Sequence, residues 1–143
     1  MPRRAHIAVV GVPIVSHVLP GRRREVHPWG PQRSILAQAD AFVTHAGMGG
    51  CGEGLLAGVP MIAVPQGAEQ FMNADRLVEL GVARRVDTAD ATAEILRTAL
   101  TDLVADPARA RRSRQLRTAA RAEGGTTRAA DLIETLLPDR ATR

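Results

Sequence analysis

Ala41-Phe42-Val43-Thr44-His45-Ala46-Gly47-Met48-Gly49-Gly50-Cys51-Gly52-Glu53-Gly54-Leu55 is the stretch on which the fold turns. Ala41 to His45 is a short, largely apolar run, and glycines follow at once; such a run reads as a strand covered on both faces. Gly50 to Ala57 then reads as a helix, closed by Gly58 ahead of Pro60. Strand, glycine turn and helix in that order leave the first N–H groups of the helix unpaired at the positive end of its dipole, where phosphate is attracted. Glycines let a diphosphate approach the backbone closely. His45 adds a donor at the carboxyl end of its strand, the edge where open α/β sheets bind ligands.

Upstream, Ile7 to Val15 is an apolar, β-branched run broken only by Gly11 and Pro13, and it reads as another buried strand. Arg3 and Arg4 ahead of it imitate a signal peptide. No small-x-small cleavage site follows in Ser16-His17-Val18-Leu19-Pro20, and the run is too short to span a bilayer. Glu25-Val26-His27 reads as a short strand ended by Pro28. Pro31 to Ala39 suits a helix with Pro at its first position and Ile35, Leu36 and Ala39 on one face. Downstream, Met61 to Val64 is a strand stopped by Pro65. Ala68 to Leu80 is a helix with Phe71, Leu77 and Leu80 inward and Gly81 as its cap, and Ala83 to Val86 is a last short strand. Three helices follow at about 91–104, 107–122 and 126–137, punctuated by Asp106-Pro107 and Gly124-Gly125. Strands alternating with helices through short connections specify an α/β fold, a parallel sheet with right-handed crossovers.

Composition narrows the chemistry. The 143 residues suit one domain, and a hydrophobic fraction of 45% excludes wholesale disorder. Trp29, Phe42 and Phe71 are the only aromatics, so the core must be aliphatic. The net charge of +4 comes entirely from arginine on the basic side and favours phosphate ligands. Nucleic acid is not an expected partner, because stacking platforms are missing and the Arg109–Arg121 series reads as a solvated helix face. One cysteine excludes a disulfide framework and any zinc cluster of several thiolates. Cys51 reads as a small residue packed at a helix start, and His6 and His27 as structural.

Gly47-x-Gly49-x-x-Gly52 matches the dinucleotide fingerprint, but an NAD site wants an acidic residue at the end of the next strand, where Pro65-Gln66 stands instead. A wider pattern is more specific. Trp29-Gly30-Pro31-Gln32, Thr44-His45-Ala46-Gly47, Glu53-Gly54-Leu55, Gly58-Val59-Pro60-Met61, Pro65 and Glu69-Gln70 follow one another at close spacing. Together they resemble the donor-binding signature of the family 1 UDP-dependent glycosyltransferases, most of all the bacterial macrolide-modifying enzymes of antibiotic resistance or biosynthesis. The likeness runs from about Glu25 to Pro138.

That resemblance implies a GT-B fold, two Rossmann-like domains across a cleft with the nucleotide on the C-terminal one. It implies that Trp29 stacks on uracil and that the Gly30 backbone reads the base edge. Gln32 and Glu53 would bond the ribose, a carboxylate accepting well from vicinal hydroxyls. His45 and the backbone of Gly47, Met48, Gly49 and Gly50 would hold the diphosphate, and Glu69 and Gln70 would touch the sugar. Read without the resemblance, Trp29 could be a core or interface residue, His45 a satisfied strand-end histidine and Glu53 a solvated first-turn acid, while Glu69 and Gln70 could cap their helix. Ser16-His17-Val18-Leu19-Pro20 resembles the family's Gly-His-Val-Asn-Pro turn, in which the histidine is the general base of an inverting transfer; a pKa near neutrality suits that work.

The departure from the family is large. Only Gly21 to Pro28 separate Pro20 from Trp29, where the family has hundreds of residues, and the aspartate that orients the base has no counterpart. Residues 1–20 are expected to be the first strand and His-containing turn of a shortened acceptor domain, and residues 21–143 the UDP-sugar half-domain with its C-terminal helices. Expected ligands are a UDP-sugar, with no metal or further cofactor, and a small hydroxylated acceptor. The expected setting is cytoplasmic, without a membrane partner. A sheet lacking its central strands exposes edges and apolar faces, so marginal stability, self-association or a separate acceptor-domain chain is expected. Ile7–Val15 is expected to pair with the remaining strands, and Leu116, Leu132, Ile133, Leu136 and Leu137 to lack a full partner surface.

Overall fold

β-Branched and small apolar residues occupy four short segments that pair side by side. In the computed structural model, which describes residues 5–11 and 27–137, these are β1 (Ile7–Val10), β2 (Ala41–Thr44), β3 (Met61–Ala63) and β4 (Ala83–Arg85). All three pairings are parallel and the sheet order is β1-β2-β3-β4. The first strand does pair with the rest, Val10 lying opposite Thr44.

Among the described residues six α-helices, α1 (Gln32–Leu36), α2 (Met48–Ala57), α3 (Ala68–Glu79), α4 (Ala93–Val104), α5 (Pro107–Ala122) and α6 (Gly125–Glu134), and a short 3-10 helix at Thr88–Asp90 complete the fold. Successive strand residues face opposite sides, so the sheet has two cores. Ala41, Val43, Ile62 and Val64 meet Leu96, Ala99, Leu100 and Leu103 of α4, with Ile7 and Val9 packed against them. Ala8, Phe42, Met61 and Ala63 meet Leu36, Cys51, Ala74 and Leu77 of α1, α2 and α3. Phe42, Met61 and Ile62 are fully buried, and each such side chain contributes about 1.5–3 kcal/mol. α2 rides close on the sheet: a Cβ on Gly54 would stand 2.5 Å from the Met61 sulfur.

Several expectations need correction. The run from Ile7 keeps strand geometry only to Val10, because Gly11 turns into the left-handed region at φ 70°; Val12 to Val15 lie outside the described residues. The expected strand at Glu25-Val26-His27 is not found at His27, which is irregular, and its other two residues lie outside the described set. The helix expected over Pro31–Ala39 is the five-residue α1, with Pro31 at its N-cap and Ile35 exposed. Gln38 and Ala39 bond three residues back, which tightens and ends it. β2 stops at Thr44 because Ala46 has φ 63°, and α2 begins at Met48 rather than Gly50. Phe71 is not inward: it is 39% exposed, with the Arg85 guanidinium 5.1 Å from its ring centroid.

The arginines of α5 are also more than a solvated face. Arg112 donates to the Leu80 carbonyl at 3.0 Å, Arg121 to the Leu56 carbonyl at 3.2 Å, and Arg109 to the Ala83 carbonyl. Arg112 and Arg121 thereby close the carboxyl ends of α3 and α2, where cations are favoured, while Arg109 reaches a carbonyl of β4. α6 has no buried residue, and Leu132, Ile133, Leu136 and Leu137 are all more than half exposed, as expected. Leu116 instead packs against the α1–α3 side core. Among the described residues, no helix is long and apolar enough to cross a membrane.

Candidate functional site

Parallel strands joined by right-handed crossovers send α2 and α3 away from the carboxyl edge of the sheet, so their N-termini stand at that edge. Both begin at glycine, Gly47 and Gly67, and neither receives a hydrogen bond from its N-cap side chain. α4 and α5 differ: Thr92 accepts from the Ile95 N–H, and Asp106 from the Arg109 N–H. The first helical N–H bonded back within α2 is that of Cys51, to Gly47. Met48, Gly49 and Gly50 therefore offer their N–H groups outward, beside His45.

The turn into α2 is built around Ala46, the only positive-φ residue other than glycine among those described. Its N–H donates to Thr44 Oγ1 at 3.2 Å, and its carbonyl accepts from Asn73 Nδ2 at 2.9 Å. A residue in this conformation costs about 1–3 kcal/mol and persists only where its surroundings hold it; here β2 and α3 each supply one side chain that does so. His45 follows β2 and precedes this turn. Its Nδ1 is buried without a hydrogen-bond partner, while a Cβ on Gly47 would lie 2.5 Å from Nε2.

The remaining sequence-derived residues are distributed as follows. Glu69 is exposed in the first turn of α3. Gln70 is half-buried, and its Oε1 accepts from the Gln66 N–H at 2.8 Å, so it supports the turn before α3 as well as offering its amide nitrogen. Glu53 is half-buried and, because α2 starts early, falls in the second turn, not the first; no hydrogen bond or ion pair engages it among the described residues. Trp29 is 82% exposed, which removes the core reading. Gly30 lies in the same stretch, its missing Cβ 3.3 Å from Ile35 Cδ1, and Gln32 opens α1. The Asp40 N–H bonds the His6 carbonyl at the amino end of β1, so the chain runs from α1 down to the amino edge and Gln32, at the start of α1, lies at the end away from it. His17 lies outside the described residues.

Burial pushes the Cys51 thiol above its ordinary value, so it is an unreactive packing residue. Among the described residues, no three His, Cys, Asp or Glu side chains are grouped to hold a metal ion. Residue type and spacing alone do not mark Gly11, Gln66 or Asn73 as parts of this site. Gln66 Nε2 donates to the Gly11 carbonyl at 3.0 Å across 55 residues. Asn73 carried the clearer signal: it lies between Gln70 and Leu77 on the inward face of an amphipathic helix, where a polar residue needs a partner.

Comparison with known proteins agrees with this geometry. Oleandomycin glycosyltransferase of Streptomyces antibioticus is 58% identical over 119 residues, 83% of this chain and 28% of its own length. The NDP-glycosyltransferase YjiC of Bacillus licheniformis is 41% identical over 112 residues, 78% of this chain and 28% of that one. The chain thus spans under a third of these relatives. Among solved structures, the kitacinnamycin glycotransferase superposes with a TM-score of 0.75 at 56% identity, over 80% of this chain and 30% of that one. The calicheamicin glycosyltransferase CalG4 does so with a TM-score of 0.73 at 35% identity, over 76% and 29%. The family described as UDP-glucoronosyl and UDP-glucosyl transferase matches residues 19–118. A four-stranded parallel sheet with an open helix N-terminus beside a histidine, in a chain matched over most of its length, makes this protein a member of that glycosyltransferase family.

Proposed function

We propose that the carboxyl edge of this sheet binds a UDP-sugar, and that the chain serves transfer of the sugar to a hydroxyl of a small natural product such as a macrolide. The observation that carries this reading is the uncapped, glycine-built start of α2 next to His45. Three outward N–H groups and an imidazole stabilise the negative charge that grows on a departing diphosphate. Trp29 offers uracil a ring that is already exposed, and the carboxylate of Glu53 is unengaged and able to accept from a ribose.

In the transfer step the acceptor hydroxyl gives its proton to a base, its oxygen attacks the anomeric carbon from the face opposite UDP, and the carbon–oxygen bond to the diphosphate breaks with inversion. His17 is the candidate base. In this reading no metal is called for, because α2 and His45 supply the positive end.

Trp29 is the only tryptophan and there is no tyrosine, so intrinsic fluorescence reports on the uracil platform alone. Titration with UDP should quench it saturably, and His45→Ala and Glu53→Ala should weaken the response. A linear response to ~10 mM UDP, less than about 3 kcal/mol of binding, would contradict the donor site.

A second reading is a donor-binding half that turns over only with a separate acceptor-domain chain. The exposed apolar side chains of Leu132, Ile133, Leu136 and Leu137 in and after α6 favour it. Glycoside formation from UDP-glucose by this chain alone would decide for the single-chain enzyme; activity only on mixing with an acceptor half would decide for the pair.

A further inference from the structure

We infer that the first strand of this chain has become one wall of the donor site, and that Gly11 is a positioning residue for His45. The inference rests on the UDP-sugar reading above for its functional meaning, and on geometry for its structural content. β1 runs parallel to β2 with Val10 opposite Thr44, so the next residues of each strand, Gly11 and His45, leave the sheet side by side. Gly11 is in the left-handed region at φ 70°, which a side chain rarely adopts. A Cβ there would lie 2.9 Å from His45 Cε1 and closer still to Nδ1. On its other side the ring meets Gly47, whose added Cβ would stand 2.5 Å from Nε2. The imidazole is therefore held between two glycines, Gly11 after β1 and Gly47 before α2. Gln66, just after β3, fixes the Gly11 carbonyl at 3.0 Å, and the Gln66 N–H is itself held by Gln70 Oε1 at 2.8 Å.

The result is a chain of contacts from α3 through Gln66 to Gly11 and onto the ring. It selects the rotamer in which Nδ1 is turned inward, without a partner, and Nε2 is on the side of the α2 N-terminus. Gly11 touches no ligand in this account; it acts through His45. A larger residue at position 11 must rotate the ring or displace β1.

The test uses the full chain with UDP and uridine as probes, and the His45 ring resonances as a ligand-independent readout. Gly11→Ala should shift the His45 ring resonances and lower the preference for UDP over uridine by about tenfold, whereas Gln66→Leu, which leaves the backbone at Gly11 free of new atoms, should shift the same resonances and lower the preference about two- to threefold. In a His45→Ala background, Gly11→Ala should cost nothing further in UDP preference. Unmoved His45 resonances in both variants would overturn the inference. So would equal losses for uridine and UDP, or an undiminished effect of Gly11→Ala without His45. If the unaltered chain shows no preference for UDP, the donor-site reading fails by itself, and the ring resonances still decide whether Gly11 positions His45.

Discussion

α2 and α3 have two unlike ends. At the amino edge of the sheet their carboxyl ends are closed: Gly58 takes the left-handed position after α2, and Arg121 and Arg112 from α5 donate to Leu56 and Leu80. At the carboxyl edge their amino ends begin at glycine and receive no N-cap side chain. The same chain caps α4 with Thr92 and α5 with Asp106. The N-caps of α1 and α6, Pro31 and Gly124, likewise give no side-chain bond, so what sets α2 apart is the buried His45 imidazole beside its open start. An N-cap side chain contributes about 1 kcal/mol; α2 and α3 forgo it at the edge where His45 sits, which leaves their first N–H groups open to another acceptor there.

This contrast can be broken most forcefully at Gly54, where α2 seats on the sheet. Gly54→Val drives a side chain into the Met61 sulfur; overpacking of this kind costs about 1–3 kcal/mol. Thermal melting should fall and UDP binding should go with it, because both ends of α2 move. His45→Ala acts at the open edge alone. UDP affinity should drop about tenfold, close to 1.4 kcal/mol, with uridine affinity and the melting temperature nearly unchanged in calorimetry.

Arg112→Ala and Arg121→Ala act at the closed edge. Each removes a charged donor from a helix-end carbonyl and should cost stability by about 1 kcal/mol, read from urea unfolding, while UDP titrations keep their midpoint. The smallest effect is one of pH. The Arg109 backbone N–H, and then its guanidinium, hold the Asp106 carboxyl below the usual carboxylate range. A carboxyl depressed by folding stabilises the fold above the ordinary carboxylate range, and that contribution is lost as pH falls through the depressed value. The melting advantage of the wild type over Asp106→Asn should therefore close on acidification, and should stay constant at neutral pH and above.

Much of this was legible in the sequence because it follows from local rules. Ala41-Phe42-Val43-Thr44 ahead of glycines specifies a buried strand and a helix start, and Gly58 and Asp106-Pro107 give helix boundaries, all without tertiary information. The errors were tertiary. Periodicity puts Phe71 inward, yet Arg85, held by Asp75 and Asp87, covers it at the surface instead. The α5 arginines looked solvated because their partners are backbone carbonyls in other elements, and carbonyls carry no signature in sequence. Sequence places the start of α2 two residues late because Gly47, Gly49 and Gly50 read as turn residues; the helix begins at Met48 because Ala46, held by Thr44 and Asn73, turns the chain into it. At the candidate site the ligand-facing residues could be named from type and spacing, but the supports, Gly11, Gln66 and Asn73, could not. They act at separations of 27 and 55 residues that only folding reveals.

The central claim is that the open start of α2 receives the diphosphate. The most direct measurement follows the backbone amide resonances of Met48, Gly49 and Gly50 during titration with UDP, with those of Glu94 and Ala108 in the capped first turns of α4 and α5 as internal references. Saturable shifts are expected at Met48, Gly49 and Gly50 with UDP, little change there with uridine, and unmoved resonances at Glu94 and Ala108. Shifts of the same size at the capped and uncapped helices, or none at Met48, Gly49 and Gly50 while Trp29 fluorescence is quenched, would contradict it.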